Sequence, residues 1–210
     1  MQEIIKTAPF IIGTAISPIV LMMTLYVLAR PAKPIQKTLV FLLGSLVSIG
    51  LITAVIFYTT TFNPNPSPHS DLLPHLIIGA LLLFLAFNTY RRGPGKAKAE
   101  PEKTKGLIAY FTLGAVIMAT NFTTIAMIFE VALDLRESAI QGLEKNIYLL
   151  ATIIFSLLPI LLPLLVLLLA GKHSATILDK LSLFMQRYAY IVTATFFATL
   201  GVYTLLKPFI

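Results

Sequence analysis

Six apolar runs, each close to the length that crosses a bilayer, divide this sequence: 8–29, 38–60, 74–90, 107–129, 147–170 and 188–206. About 20 apolar residues in a helix span a hydrocarbon layer roughly 30 Å thick. Inside that layer every backbone donor and acceptor must be satisfied by the chain itself, which leaves only helices and closed barrels. Runs this long predict helices, so the expected fold class is an all-α membrane protein with six transmembrane helices. The stretches between runs stay below about twenty residues, too few to bury a core of their own. No separate soluble domain is expected.

The charges orient the helices. A formal net charge of +7 would suggest nucleic acid on a soluble protein. Here Arg30, Lys33 and Lys37 follow the first run, while Arg91, Arg92, Lys96, Lys98, Lys103 and Lys105 follow the third. Lys172, Lys180 and Arg187 follow the fifth, leaving Lys6, Arg136, Lys145 and Lys207 for the other side. Basic residues collect in cytoplasmic loops. The expectation is therefore a multi-pass protein of the cell membrane, with both termini outside and three basic loops in the cytoplasm. The positive charge then meets anionic membrane lipids, not nucleic acid. The chain has no cysteine, so single cysteines introduced at Ser67 and Lys98 should react from opposite sides of a sealed membrane. Reaction of both from one side would sink this topology.

Polar interruptions inside the spans locate the function. Ser17-Pro18 falls near the middle of the first run, within the stretch from Gly13 to Met22. Proline removes a backbone donor and leaves a carbonyl without its usual partner. Half a chain later, Met118-Ala119-Thr120-Asn121-Phe122-Thr123 interrupts the fourth run. Weakened helices at corresponding places in two halves point to a transporter site near the midplane. The plainer alternative is a packing kink, since proline is commoner in membrane helices than in soluble ones. Asn121 carries donors and an acceptor that should face the bundle interior, with the Thr14 carbonyl as a candidate partner. Pro159 and Pro163 are expected to bend the fifth span beside them. The candidate substrate-binding residues are Gly13, Ser17, Pro18, Gly114, Thr120, Asn121, Pro159 and Pro163.

With three spans in each half, the second half enters the membrane in the opposite sense, so any duplication is an inverted repeat. The expected organisation is a first three-helix repeat over 1–92, a basic cytoplasmic linker over 93–105 and a second repeat over 106–210. Pro9 is expected in the first turn of the first helix. Ile177, Leu178, Leu181, Phe184 and Met185 predict a short amphipathic helix on the inner leaflet, separate from the sixth span. His69 and His75, with Asp71 between them, lack a third ligand at convincing spacing for a metal and read as a solvated outer loop. Glu130 stands nine residues beyond Asn121, about 13 Å along a helix, and reads as a carboxylate at the outer interface. An enzyme needs a nucleophile and base in reach. The spans show no such cluster, so no catalytic residue, metal or cofactor is expected.

Ala15-Ile16-Ser17-Pro18-Ile19-Val20, the basic turn after the first run and Phe41-Leu42-Leu43-Gly44 together resemble the start of the GAP (sulfolipid-addressing) family. Tyr90-Arg91-Arg92 after the third span and the Leu-Pro pair of the fifth fit the same pattern. That family belongs to the lysine-exporter (LysE) superfamily. The resemblance implies six spans, often as inverted three-helix repeats, and export of amino acids, ions or lipids. Its fourth span often carries asparagine-proline where this chain has Asn121-Phe122, so a backbone opening there is not assured by the sequence. The expected function is a transporter or exporter of a small or lipidic solute by alternating access, with a proton or sodium ion as candidate coupling ion. The alternative is an accessory subunit of another lipid transporter. A homo-oligomer or a complex with such a partner fits either.

Overall fold

The computed structural model describes residues 2–29, 33–61, 72–93, 106–138 and 142–207. The proline-rich stretch 63–68, His69, Asp71 and all of the 93–105 linker but Gly93 lie outside them. The described residues form helices, with no strand among them. These are α1 (Gln2–Thr14), α2 (Pro18–Leu28), α3 (Pro34–Thr61), α4 (Leu72–Arg92), α5 (Leu107–Ala119), α6 (Phe122–Glu137), α7 (Leu143–Leu169) and α8 (Ser174–Leu206), with a 3-10 turn before α8. Five stretches are long and apolar enough to cross a membrane: Thr7–Leu28, Pro34–Thr60, Leu73–Arg92, Leu143–Leu169 and Ser174–Leu206. The pair α5 and α6, bent by 57° at its break, makes a sixth if counted as one span. The chain is a multi-pass membrane protein.

Two close crossings hold the bundle. The first joins α3 to α5. A methyl group on Gly44 would overlap the Phe111 carbonyl, and one on Gly114 would overlap the Phe41 carbonyl and sit 2.9 Å from the Ser45 hydroxyl. The backbones therefore touch, as small residues allow where lipid offers no hydrophobic drive. The second crossing joins α4 to α8 through Gly79 and Gly201. α1 lies along α6, and α7 packs on α1, α2 and α3. Phe10, Phe41, Leu82, Met118, Met127 and Phe197 fill the interior. Ile19, Leu51, Phe87, Ile108 and Leu169 stand exposed on the outside, as a lipid-facing surface requires.

Three local expectations are corrected, those for α8, Pro9 and Pro18. α8 is one helix of 33 residues; the inner-leaflet stretch and the sixth span are continuous. No glycine or proline interrupts 174–200, so nothing ends the helix there. Pro9 lies inside α1, which begins at Gln2, not in its first turn. Pro18 is the first residue of α2, where a missing donor costs no hydrogen bond. α7 runs from Leu143 to Leu169 as one helix through Pro159 and Pro163.

Candidate functional site

The two broken spans meet. In the first, the helix stops at Thr14, the chain turns through Ala15 and Ile16, and Ser17 adopts an extended conformation before α2. In the other, α5 stops at Ala119 and Asn121 precedes α6. The fourth span thus opens without a proline. The Asn121 side chain supplies an alternative set of partners, as short amides do at helix starts. Its Nδ2 donates to Ser17 Oγ at 2.9 Å and to Thr124 Oγ1 at 2.7 Å, and its Oδ1 accepts from Thr123 Oγ1 at 2.8 Å. The partner across the bundle is therefore the Ser17 hydroxyl and not the Thr14 carbonyl. Asn121 is 8% exposed and Ser17 5%. An amide left without partners in hydrocarbon costs several kcal/mol, on the order of 4–8 by transfer to alkane, and this bond removes that cost for both breaks.

A cavity of about 280 Å³ begins on the far side of Ser17. Ala15, Ile16, Ser17, Pro18 and Leu21 form one wall, and Leu158, Pro159 and Leu162 of α7 another. The third wall is α8, with Phe184, Ala189, Val192 and Thr193 among its residues. The walls are almost wholly apolar. Leu162, Phe184 and Val192 are also exposed on the outside of the bundle, so the cavity has a lateral rim between α7 and α8. Thr193 is 5% exposed, yet its hydroxyl has no hydrogen-bond partner. Thr24, Thr152 and Thr199 satisfy theirs on the carbonyl four residues back, whereas Thr7, Thr53 and Thr204 are buried without a partner, as Thr193 is.

The residues singled out from sequence thus divide. Ser17, Pro18 and Pro159 line the cavity, and Asn121 is bonded to Ser17. Gly13 packs under Phe196 and Met127; a methyl group there would lie 3.1 Å from the Phe196 ring. Gly114 belongs to the α3–α5 crossing. Thr120 is exposed, with its hydroxyl turned back to the Val116 carbonyl at 2.8 Å. Pro163 is buried one turn beyond Pro159 and is absent from the lining. Sequence reasoning passed over Thr193. Its only trace in the sequence was the threonine content of the sixth span, which cannot separate inward from outward positions before packing is known.

A second polar cluster lies at the end of the bundle where α1 begins and α8 ends. His75 Nδ1 sits 3.0 Å from Glu130 Oε2 and 3.2 Å from Oε1. Lys207 Nζ lies 3.8 Å from Glu130 Oε2 and pairs with Asp134. Glu130 is 0% exposed, and His75 and Asp134 each 3%. His75 is buried in α4 and not solvated in a loop, and Glu130, at this end of the bundle, is buried and not a surface carboxylate. Helices α4, α6 and α8 converge here, and convergence of helices distant in sequence is invisible in spacing along one of them. Among the described residues no group of three His, Asp and Glu side chains is arranged to hold a metal ion.

A family model described as Sap, sulfolipid-1-addressing protein, matches residues 9–207. No curated protein and no solved structure matches the chain.

Proposed function

The chain belongs to the Sap, sulfolipid-1-addressing protein, family, and from that premise we propose that it is a transporter or exporter of an amphiphilic, lipidic solute. The observation that carries the reading is the apolar cavity at the Ser17 break, with an unsatisfied hydroxyl, Thr193, buried in its wall. A buried polar group without a partner is rare and calls for an explanation. A ligand with an alkyl body and one hydrogen-bonding group would fill the apolar walls and satisfy Thr193. The lateral rim at Leu162, Phe184 and Val192 suits entry of such a ligand from the bilayer.

Alternating access needs an element with two arrangements. The bonded breaks of the first and fourth spans are that element in this reading: breaking and remaking the Ser17–Asn121 bond lets the half-helices reorient. The two breaks occupy the first span of each half, which supports the inverted repeat of 1–92 and 106–210 about the 93–105 linker. The split of basic residues supports termini outside and basic loops in the cytoplasm.

The test is flux of a fluorescent phospholipid or glycolipid across liposomes containing the purified protein. Wild type should move the probe unaided. Ala189→Trp, which fills the cavity, should abolish movement, and Thr193→Val should reduce it by roughly twofold to tenfold, the loss of one hydrogen bond. Flux only on addition of a second membrane protein would replace this reading with that of an accessory subunit.

A further inference from the structure

We propose that Arg91 of α4 and Arg187 of α8 hold the phosphate of one anionic phospholipid, whose chains lie along Phe84, Phe87 and Ile191 on the outer face of the α4–α8 pair. The site is separate from the Ser17 cavity and does not rest on the transport reading.

The register of the two helices brings the arginines together. α4 and α8 meet at Gly79 and Gly201, where a methyl group on either would lie 3.1 Å from the carbonyl of the other. They meet again at Tyr90 and Tyr190, whose ring centroids are 6.4 Å apart. Gly79 to Tyr90 is eleven residues forward and Gly201 to Tyr190 eleven back, so the helices are antiparallel and one register runs the length of the contact. It sets Arg91 level with Ala189 and Arg187 level with Gly93, about 3 Å apart along the axis. Successive residues turn by about 100° round a helix. Arg91 follows Tyr90 by one residue, and Arg187 precedes Tyr190 by three, a net turn of about 60° in the same sense. In an antiparallel pair these two rotations lead to the same side. Phe84 and Phe87 stand two turns and one turn before Arg91, and Ile191 one turn after Arg187; all three are exposed. Both apolar strips therefore run from the arginines toward the Gly79–Gly201 crossing.

The charges call for an anion. Among the described residues no ion pair involves Arg91 or Arg187. α4 carries no carboxylate, and the one on α8, Asp179, stands eight residues before Arg187, about 12 Å along the helix. Arg91 and Arg92 occupy the last turn of α4, where cations suit the helix dipole. That accounts for them but not for Arg187, which lies inside α8 with its guanidinium 5.4 Å from the Tyr188 ring. Guanidinium forks match phosphate oxygens two at a time, and basic pockets between membrane helices take anionic lipid headgroups. Tyr90, exposed beside Arg91, is a side chain suited to headgroup depth. Inorganic phosphate shares the headgroup's chemistry but has nothing to lay on Phe84, Phe87 and Ile191; a phospholipid has its chains.

The test is a titration of full-length protein in detergent with phosphatidylglycerol or phosphatidylcholine, with bound lipid counted by native mass spectrometry. Wild type should retain one phosphatidylglycerol per chain in preference to phosphatidylcholine. Arg91→Gln with Arg187→Gln should weaken phosphatidylglycerol roughly 25-fold, about fivefold for each basic side chain near a headgroup, and leave phosphatidylcholine unchanged. Where the double variant fails to fold, Arg187→Gln alone should show the fivefold loss. Arg91→Lys with Arg187→Lys keeps the charge without the fork and should recover only part of the affinity. Lys33→Gln with Lys37→Gln removes two charges elsewhere and should change nothing. Wild-type affinity in the folded glutamine variant overturns the site. Full affinity in the lysine variant, or an equal loss in Lys33→Gln with Lys37→Gln, reduces it to diffuse charge and overturns it too. Displacement of the lipid by millimolar inorganic phosphate makes the occupant a free anion and overturns the lipid.

Discussion

Asn121→Leu should yield a protein that inserts and folds but no longer moves an amphiphile across a bilayer. The change removes the side-chain bond that joins the two broken spans, Nδ2 to Ser17 Oγ at 2.9 Å. The hydroxyls of Thr123 and Thr124 lose their partner as well, but each can return to a backbone carbonyl of the preceding turn. Interhelical hydrogen bonds in membranes contribute about 0.6 kcal/mol on average and up to roughly 1.7, so the loss of stability should be modest. The conformational effect is larger. Leucine favours helix and offers no competing side-chain bonds. The 57° bend between α5 and α6 should relax toward a continuous helix, carrying α6 away from Ser17. Ser17→Ala removes the same bond from the other side, and the double mutant should be little worse than either single one. Wild-type flux from well-folded Asn121→Leu would remove the joint from the mechanism.

Gly114→Val should be the most destabilising single change in the described chain. Even a methyl group at this position overlaps the Phe41 carbonyl, and a backbone atom cannot rotate aside as a side chain can. Overpacking a core costs about 1–3 kcal/mol, and here α3 and α5 must separate along their length, so the effect should reach or exceed the upper end. Gly44→Val should behave alike from the opposite helix, through Phe111. Gly50→Ala is the control. It meets nothing within 4 Å and should be neutral or stabilising by up to ~1 kcal/mol through helix propensity. Unfolding in mixed detergent micelles, followed by loss of helical signal, would rank the three. Equal stability of Gly114→Val and wild type would contradict the crossing.

Ser17 and Asn121 show how far local reasoning reaches. A serine-proline pair and an asparagine inside long apolar runs are conspicuous because hydrocarbon penalises them, so both polar interruptions could be located from the sequence, though the backbone opening at Asn121, which no proline follows, could not. Their bond could not, since Ser17 and Asn121 are 104 residues apart. The Thr14 carbonyl was the wrong partner because Pro18 begins a new helix and does not kink an existing one. Gly13 and Gly114 were candidates for their small size, yet they serve helix contact. Small size permits close approach to a ligand and to a helix equally, and only the neighbour distinguishes the two.

The sequence by itself determined the membrane class, the succession of apolar helices, the family and the positions of the polar interruptions. All of these follow from local composition and from the cost of exposing polar groups to lipid. The tertiary structure alone decided that α8 is continuous, that Thr193 faces a cavity with Pro18 and Pro159, and that His75, Glu130, Asp134 and Lys207 converge. His75 and Lys207 looked like residues for an aqueous edge because each sits near the end of its own span. His75 is buried and Lys207 half-buried because three helices close over them, and that closure depends on contacts between helices, which no single span encodes.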